Sequence, residues 1–390
     1  MVLEVMLISE LHPYEQNAKK HPEKQVKQIA RSIKEFGFNQ PIVIDKNNEI
    51  IVGHGRYYAA QQLGLKEVPT VKLENLTDEQ VEAYRLADNK LNESEWDMGL
   101  VIENLKHLDS QGYDITLTGF DKDLLIEPSE QDDLIPDNAP AIAKLGDIWQ
   151  LGRHRVMCGD STKKEDVEKL MDGKKADMVF TDPPYGVSYE EKAKRNGYKG
   201  ETSKIAGDEG VEEAAQVYGE AFKRIFENIK SGAVYYVCAP QGGDQEMMMM
   251  MMRSTIPCRH QLIWKKDSPV FSMGRLDYDY QHEPILYGWK GSHNHIGGGK
   301  FRTSIWEIPR PKASKLHPTM KPVELIQEAI LNSSKGEDII IDLFLGSGST
   351  LIAAEKTGRI CYGMEIDSKY CDVIIKRYED YTHGKATKIN

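Results

Sequence analysis

Apolar positions in the first hundred residues follow two periods in turn. A helical period over Lys24–Phe36 is followed by short apolar runs at Pro41–Ile44, Ile50–Val52 and Val68–Leu73 that predict strands, with a helix over Arg56–Leu63 between the last two. Thr77 and Gln80 have the spacing of a capping box, which predicts a helix opening there and running through Leu86. Residues 1–100 therefore read as one compact α/β unit, and 101–140 as a helical and acidic linker, most linker-like over Glu127–Pro140. From about Ala141 the runs Val156–Cys158, Asp177–Thr181, Ala233–Cys238, Leu262–Trp264, Ile339–Asp342 and Arg359–Gly363 predict strands alternating with helices. Such alternation implies a mostly parallel sheet covered by helices, with ligands beyond the carboxyl ends of its strands. Met247–Met252 lies in a helical stretch and reads as flexible apolar packing, without a function.

Composition narrows the class. The chain has 390 residues, enough for two or three domains, and no apolar stretch of the ~20 residues needed to span a bilayer, so a soluble, cytoplasmic protein is expected. Its five cysteines include no C-x-x-C pair, which speaks against a disulfide framework or zinc site; no metal is expected. The net charge of −11 hides an uneven distribution: Arg253–Leu325 holds twelve Lys/Arg against six Asp/Glu, whereas Asp121–Asn138 holds seven acids and one Lys. What counts for nucleic-acid binding is the local field, so a basic region in an acidic protein stays a candidate interface.

Two segments carry chemistry. Thr181-Asp182-Pro183-Pro184-Tyr185-Gly186 follows a predicted strand; its two prolines donate no backbone hydrogen bonds and leave carbonyls and the Asp182 carboxylate as acceptors. An aromatic amine is a poor nucleophile because its lone pair is delocalised into the ring. Acceptors on its N–H groups favour pyramidal nitrogen, and Asp182 and the Pro183 carbonyl suit that task, with Tyr185 stacking on the base. The second segment, Asp342-Leu343-Phe344-Leu345-Gly346-Ser347-Gly348-Ser349-Thr350, joins a strand to a helix through two glycines. It lacks the third glycine of G-x-G-x-x-G and the Gly-Lys-Ser/Thr of a phosphate loop, which argues against NAD and ATP. Glu365, at the end of the next strand, is placed to accept from ribose hydroxyls.

These motifs resemble those of the beta group of DNA amino-methyltransferases, over roughly residues 141–382. Asp-Pro-Pro-Tyr precedes the glycine motif in that group, His317-Pro318-Thr319-Met320-Lys321-Pro322 resembles its segment just upstream of the cofactor loop, and Gly159-Asp160 resembles its acid on the cofactor's adenine. The resemblance implies a Rossmann-like S-adenosylmethionine-dependent methyltransferase over 141–390. Asp160, Lys321, Asp342, Phe344, Gly346, Ser347, Gly348 and Glu365 would bind the cofactor, and Asp182, Pro183, Pro184 and Tyr185 would hold the target base. Asp at the first motif position resembles the adenine-N6 enzymes; cytosine-N4 enzymes usually carry Ser there. The target would be flipped out of double-stranded DNA. Target recognition is expected at about 253–310, with Lys265, Lys266, Arg275, Lys300 and Arg302 on DNA and Trp264, Tyr278, Tyr280 and Trp306 among them. His282-Glu283 resembles a pair near the base pocket in this group, and reads equally well as a structural pair.

Near the N-terminus, Ile50–Ala60, with Gln40-Pro41-Ile42 before and Val68-Pro69-Thr70 after, resembles the ParB/sulfiredoxin-like domain. That family's turn is commonly Gly-Glu-Arg-Arg; here it is Gly53-His54-Gly55-Arg56, which leaves an anion or nucleotide site at a helix start but not the residues expected for hydrolysis. Competing readings are a cytosine-N4, RNA or protein-glutamine methylase, and a ParB-type DNA-binding regulator with a non-catalytic methylase half. A homodimer is a further expectation.

Overall fold

The computed structural model describes residues 3–91, 98–136, 138–186, 210–270, 277–293, 302–311 and 320–389. They form two compact units, Met1–Ile126 and Glu127–Asn390.

In the first unit β1 (Leu3–Leu7), β2 (Ile42–Asp45), β3 (Ile50–Val52) and β4 (Glu67–Leu73) form a sheet in the order β1-β4-β2-β3, with β2 and β4 parallel. Ile42, Ile44, Ile50 and Val68 bury its apolar face against Tyr57 and Ala60 of α2 (His54–Gln62). The helix α1 (Glu23–Phe36) packs Val26 and Ala30 on Ala59. The expected capping box forms at the start of α3 (Asp78–Leu91): the Thr77 N–H donates to Gln80 Oε1 at 2.9 Å and the Gln80 N–H to Thr77 Oγ1 at 3.3 Å.

The stretch expected as a linker, 101–140, is divided between the units. Helix α4 (Met98–Ser110) buries Val101 and Leu105 against Ile115, and Arg31 of α1 holds Asp114 at 2.6 Å, so 101–126 packs with the first unit. The acidic turn Glu130–Asp133 belongs to the second unit. The Asp132 carboxylate takes Lys356 and Tyr381, its carbonyl takes Arg377, and Asp133 accepts the Val323 N–H at 2.8 Å.

The second unit is built on a ten-stranded sheet. Its centre is five parallel strands in the order β8 (Ile229–Cys238), β7 (Ala176–Thr181), β12 (Ile339–Asp342), β13 (Ile360–Glu365), β6 (His154–Cys158). Successive residues point to opposite faces, and both faces are buried. Phe180, Tyr236 and Ile340 face α8 (Val323–Ser333), α9 (Ser349–Lys356) and α10 (Ser368–Thr382), while Val179, Tyr235 and Ile341 face α5 (Lys164–Met171), α6 (Val211–Asn228) and α7 (Gly243–Met252). This is the doubly covered α/β sheet that the alternation predicted. Met248 and Met252 of the methionine run are buried in the second layer.

Antiparallel strands extend both edges. A two-residue turn at Gly152-Arg153 joins β5 (Ile148–Leu151) to β6, and β14 (Ala386–Lys388) pairs with β5. On the other side β10 (Tyr280–Trp289) pairs antiparallel with β8 and with β9 (His260–Val270), and β11 (Ile305–Glu307) lies outermost. Much of the region expected for target recognition is therefore sheet, with Trp264 and Trp306 in the core. Among the described residues no helix is long and apolar enough to cross a membrane, no group of three metal-ligating side chains occurs, and the cysteines are free.

Candidate functional site

The four acids singled out in the sequence sit at the carboxyl ends of four adjacent parallel strands: Asp182 after β7, Asp342 ending β12, Glu365 ending β13 and Asp160 after β6. Parallel strands bring their carboxyl ends to one edge, which is why residues more than two hundred positions apart converge.

Asp182 is held from both sides. Its Oδ1 accepts from the Tyr185 hydroxyl at 2.7 Å, and its Oδ2 takes the Lys321 ammonium at 2.6 Å. Lys321 stands just before α8 and is 9% exposed. Burial alone would depress its ammonium, but Asp182 and Glu283 raise it above the ordinary lysine range, so it stays charged. Burial, then the Asp182 charge, pushes the Tyr185 hydroxyl well up, which keeps it a neutral donor. Lys321, expected on the cofactor, is thus placed on Asp182, the carboxylate of the Asp-Pro-Pro-Tyr segment. Gly186 closes this turn at φ 72°, and a Cβ there would overlap the backbone of Gly210.

The glycine turn is organised from below. Asp342 is buried and accepts from Thr181 Oγ1 at 2.8 Å, Thr350 Oγ1 at 2.6 Å and the Phe344 N–H at 3.1 Å. Burial outweighs these bonds and lifts its carboxyl to about 6. Gly346 (φ 54°) and Gly348 (φ 88°) supply the left-handed positions of the turn. Glu365 Oε2 accepts the Gly346 N–H at 2.8 Å and Oε1 accepts the Asp367 N–H at 3.0 Å, and burial raises this carboxyl to about 7. The buried Arg377 donates to the Ser347 carbonyl at 2.9 Å. Asp160 accepts from the Thr162 N–H and hydroxyl at 3.0 and 2.7 Å; burial opposes its ionisation, but those bonds leave it below the ordinary range. Thr181 and Thr350 stand at the ends of the two motif segments without a role assigned from the sequence, and Arg377 lies outside both; each acts on a motif residue, which only the folded sheet shows.

The residues expected on DNA are mostly engaged within the fold. Lys265 pairs with Glu307 at 3.0 Å and Arg302 pairs with Glu328. Lys266 is 7% exposed and holds Glu283 at 2.5 Å, so it is too deep for a DNA phosphate, which corrects the expectation for it. Trp264 and Trp306 are likewise buried, whereas Tyr278 and Tyr280 are exposed. Arg275, Lys300 and His317-Pro318-Thr319 lie outside the described residues.

In the first unit, Gly53 (φ 106°) precedes α2, which has no side-chain cap. A cavity of about 220 Å³ lies there, lined by Lys19, His21, Gly53, His54, Gly55 and Arg56 among others. Arg56 donates to Gln40 at 2.5 Å while its Nε has no partner. Burial, then the charges of His21 and Arg85, depresses His54 to about 4, and its Nε2 accepts the Tyr14 N–H at 3.2 Å. His54 is therefore a neutral structural acceptor, and Arg56 carries the charge of this turn.

The family described as DNA methylase matches residues 176–377, and the ParB N-terminal domain matches residues 2–90. Type II methyltransferase M.HinfI of Haemophilus influenzae is 27% identical over 250 residues, covering 58% of this chain and 68% of that protein. DNA adenine methyltransferase YhdJ of Escherichia coli is 23% identical over 254 residues, 57% of this chain and 82% of that protein. The chain is also 49% identical over 73 residues to the ParB-like nuclease domain-containing protein YnaK of Escherichia coli, 19% of this chain and 84% of that protein. The chain belongs to the DNA methylase family, whose members methylate exocyclic N6 or N4 amines from S-adenosylmethionine, and it carries a ParB N-terminal domain ahead of the methylase.

Proposed function

We propose that this enzyme methylates the N6 amine of adenine at specific sites in double-stranded DNA, after the target base is flipped into the cleft beside β7. The observation that carries this reading is the Asp182 carboxylate, fixed between Tyr185 and Lys321 beside the glycine turn of β12. A carboxylate has about four lone-pair directions, so these two donors leave acceptor capacity for an amine N–H. The Pro183 carbonyl takes the second N–H, and Tyr185 stacks on the base, which offsets part of the few kcal/mol that unstacking costs.

The strand-end residues fit S-adenosylmethionine. The glycine turn lets backbone approach closely, Glu365 and Asp160 offer acceptors to hydroxyl and amine groups, and the acids suit a cationic ligand. When bound, the cofactor supplies an electrophilic methyl group. Asp182 holds the amine in line for it and receives the hydrogen-bonded proton as nitrogen gains positive charge. Asp at the first motif position and the name of the adenine methyltransferase relative favour N6 over N4. On the DNA side, Lys265, Arg275, Lys300 and Arg302 serve the backbone, with ion-paired Lys265 and Arg302 exchanging partners on binding. The ParB N-terminal domain is an accessory module binding the phosphate of a nucleotide at Gly53, Gly55 and Arg56.

The test is transfer of labelled methyl to unmethylated duplex DNA, followed by digestion to nucleosides. Label in N6-methyladenosine is expected; label in N4-methylcytosine would overturn the base assignment, and label in RNA or protein but never in DNA would overturn the substrate.

A further inference from the structure

Glu283 lies on β10 just past the end of β8, where the Ala239 N–H donates to the Pro284 carbonyl at 3.1 Å. That places it at the same sheet edge as Asp182, since β7 and β8 run in register from Val179–Tyr235 to Thr181–Val237. Its Oε1 takes Lys266 at 2.5 Å, while its Oε2 lies 3.4 Å from Lys321 Nζ and is buried without a hydrogen bond. Lys321 in turn reaches Asp182 at 2.6 Å. Two ammonium groups and two carboxylates thus alternate in a line, Lys266–Glu283–Lys321–Asp182, with both lysines buried.

Buried charges persist only when compensated, and removing one member of such a set leaves its neighbour stranded. The line is neutral as a whole. Its far end is anchored on the antiparallel extension of the sheet, and its near end is the carboxylate that meets the target amine. We propose that Glu283, locked by Lys266, is a positioning residue that holds the Lys321 ammonium against Asp182 and so fixes the direction of the acceptor. The proposal rests on Asp182 being the amine acceptor. It also gives Lys266, first read as a DNA contact, a role in the catalytic step.

The test uses full-length enzyme, steady-state methylation of duplex DNA and calorimetric titration with S-adenosylmethionine. Glu283→Gln is expected to lower kcat by about 10- to 100-fold, the scale of a small misplacement of a reacting group. Its cofactor Kd should stay within about twofold of wild type, since the line ends on Asp182 and not on the glycine turn. Lys266→Met keeps bulk and removes charge, and should lose a similar factor; Lys266→Arg keeps the charge and should retain most activity. A packing role alone would not separate Met from Arg in this order.

The proposal is overturned if Glu283→Gln keeps wild-type kcat, if its loss appears wholly as weaker cofactor binding, or if the two Lys266 variants behave alike. Should Glu283→Gln fail to fold, the Lys266 pair decides. Asp182→Ala is run alongside: activity surviving it removes the reading of the site itself, whereas an inactive Asp182→Ala with a fully active Glu283→Gln removes only the positioning line.

Discussion

Two turns in this chain are built alike and surrounded differently. In each, a strand ends, a glycine takes a left-handed conformation, and a helix opens without a side-chain cap: Gly53 at 106° before α2 and Gly348 at 88° before α9. Helix N-termini of this kind present N–H groups and a partial positive charge, which by themselves favour an anion. Around Gly348 the fold sets Asp342 and Glu365; around Gly53 it sets Arg56 and Lys19, with Asp88 also lining the cavity. On the function proposed above, the acids suit the first to hydroxyls and a cation, and the bases suit the second to phosphate. The backbone geometry is shared, and the side chains set around it differ: strand-end acids at Gly348, and at Gly53 bases from α2 and from the loop before α1.

The contrast can be broken from the acidic side first. Glu365→Gln should weaken S-adenosylmethionine binding by about 10- to 100-fold, the size of a lost charge-assisted hydrogen-bond set, as read by calorimetry. Unchanged affinity would detach Glu365 from the cofactor. Wild-type affinity should also rise roughly tenfold between about pH 6 and 8, because the carboxyl lifted to about 7 must ionise to accept from ribose. Glu365→Gln should flatten that dependence.

On the basic side, Arg56→Met should weaken nucleoside triphosphate binding about tenfold and leave methyl transfer unchanged; equal binding by the variant would remove the phosphate reading of that cavity. The last effect concerns stability, and its sign differs between the two turns. Glu365 has its value raised from 4.5 to about 7, so the cofactor-free folded chain holds a proton that the unfolded chain releases. Its contribution is complete below 4.5 and lost as pH rises through about 7. His54 is depressed from 6.5 to about 4, so its contribution is complete above 6.5 and lost as pH falls through about 4. Chemical denaturation across this range, with Glu365→Gln and His54→Gln as references, should show the opposite slopes.

Much of the fold was readable because buried strands announce themselves as short apolar runs between turn residues, as at Ile50–Val52 and Ile339–Asp342, both observed with those bounds. Two kinds of strand were harder. Leu3–Leu7 is exposed along an edge, so its run carries no burial period, and Ile148–Leu151 is joined to the next strand by a turn of only two residues, so the two strands share one short stretch of chain. The basic region misled for a different reason: a count of Lys and Arg shows charge but not the partner. Lys265 and Lys266 meet Glu307 and Glu283 only once β9, β10 and β11 are laid side by side. The motif acids were visible because each follows a strand, whereas the contact between Lys321 and Asp182 joins segments 139 positions apart and exists only in the folded sheet.

The central claim is that the acceptor at the end of β7 serves methyl transfer and not cofactor binding. It is tested most directly by measuring both properties on Asp182→Ala: S-adenosylmethionine affinity by calorimetry and methyl transfer to duplex DNA under saturating cofactor. Affinity within about threefold of wild type, with transfer reduced at least about a thousandfold, is the predicted result. Transfer that persists at a comparable rate, or a loss that follows weakened cofactor binding alone, would contradict the account.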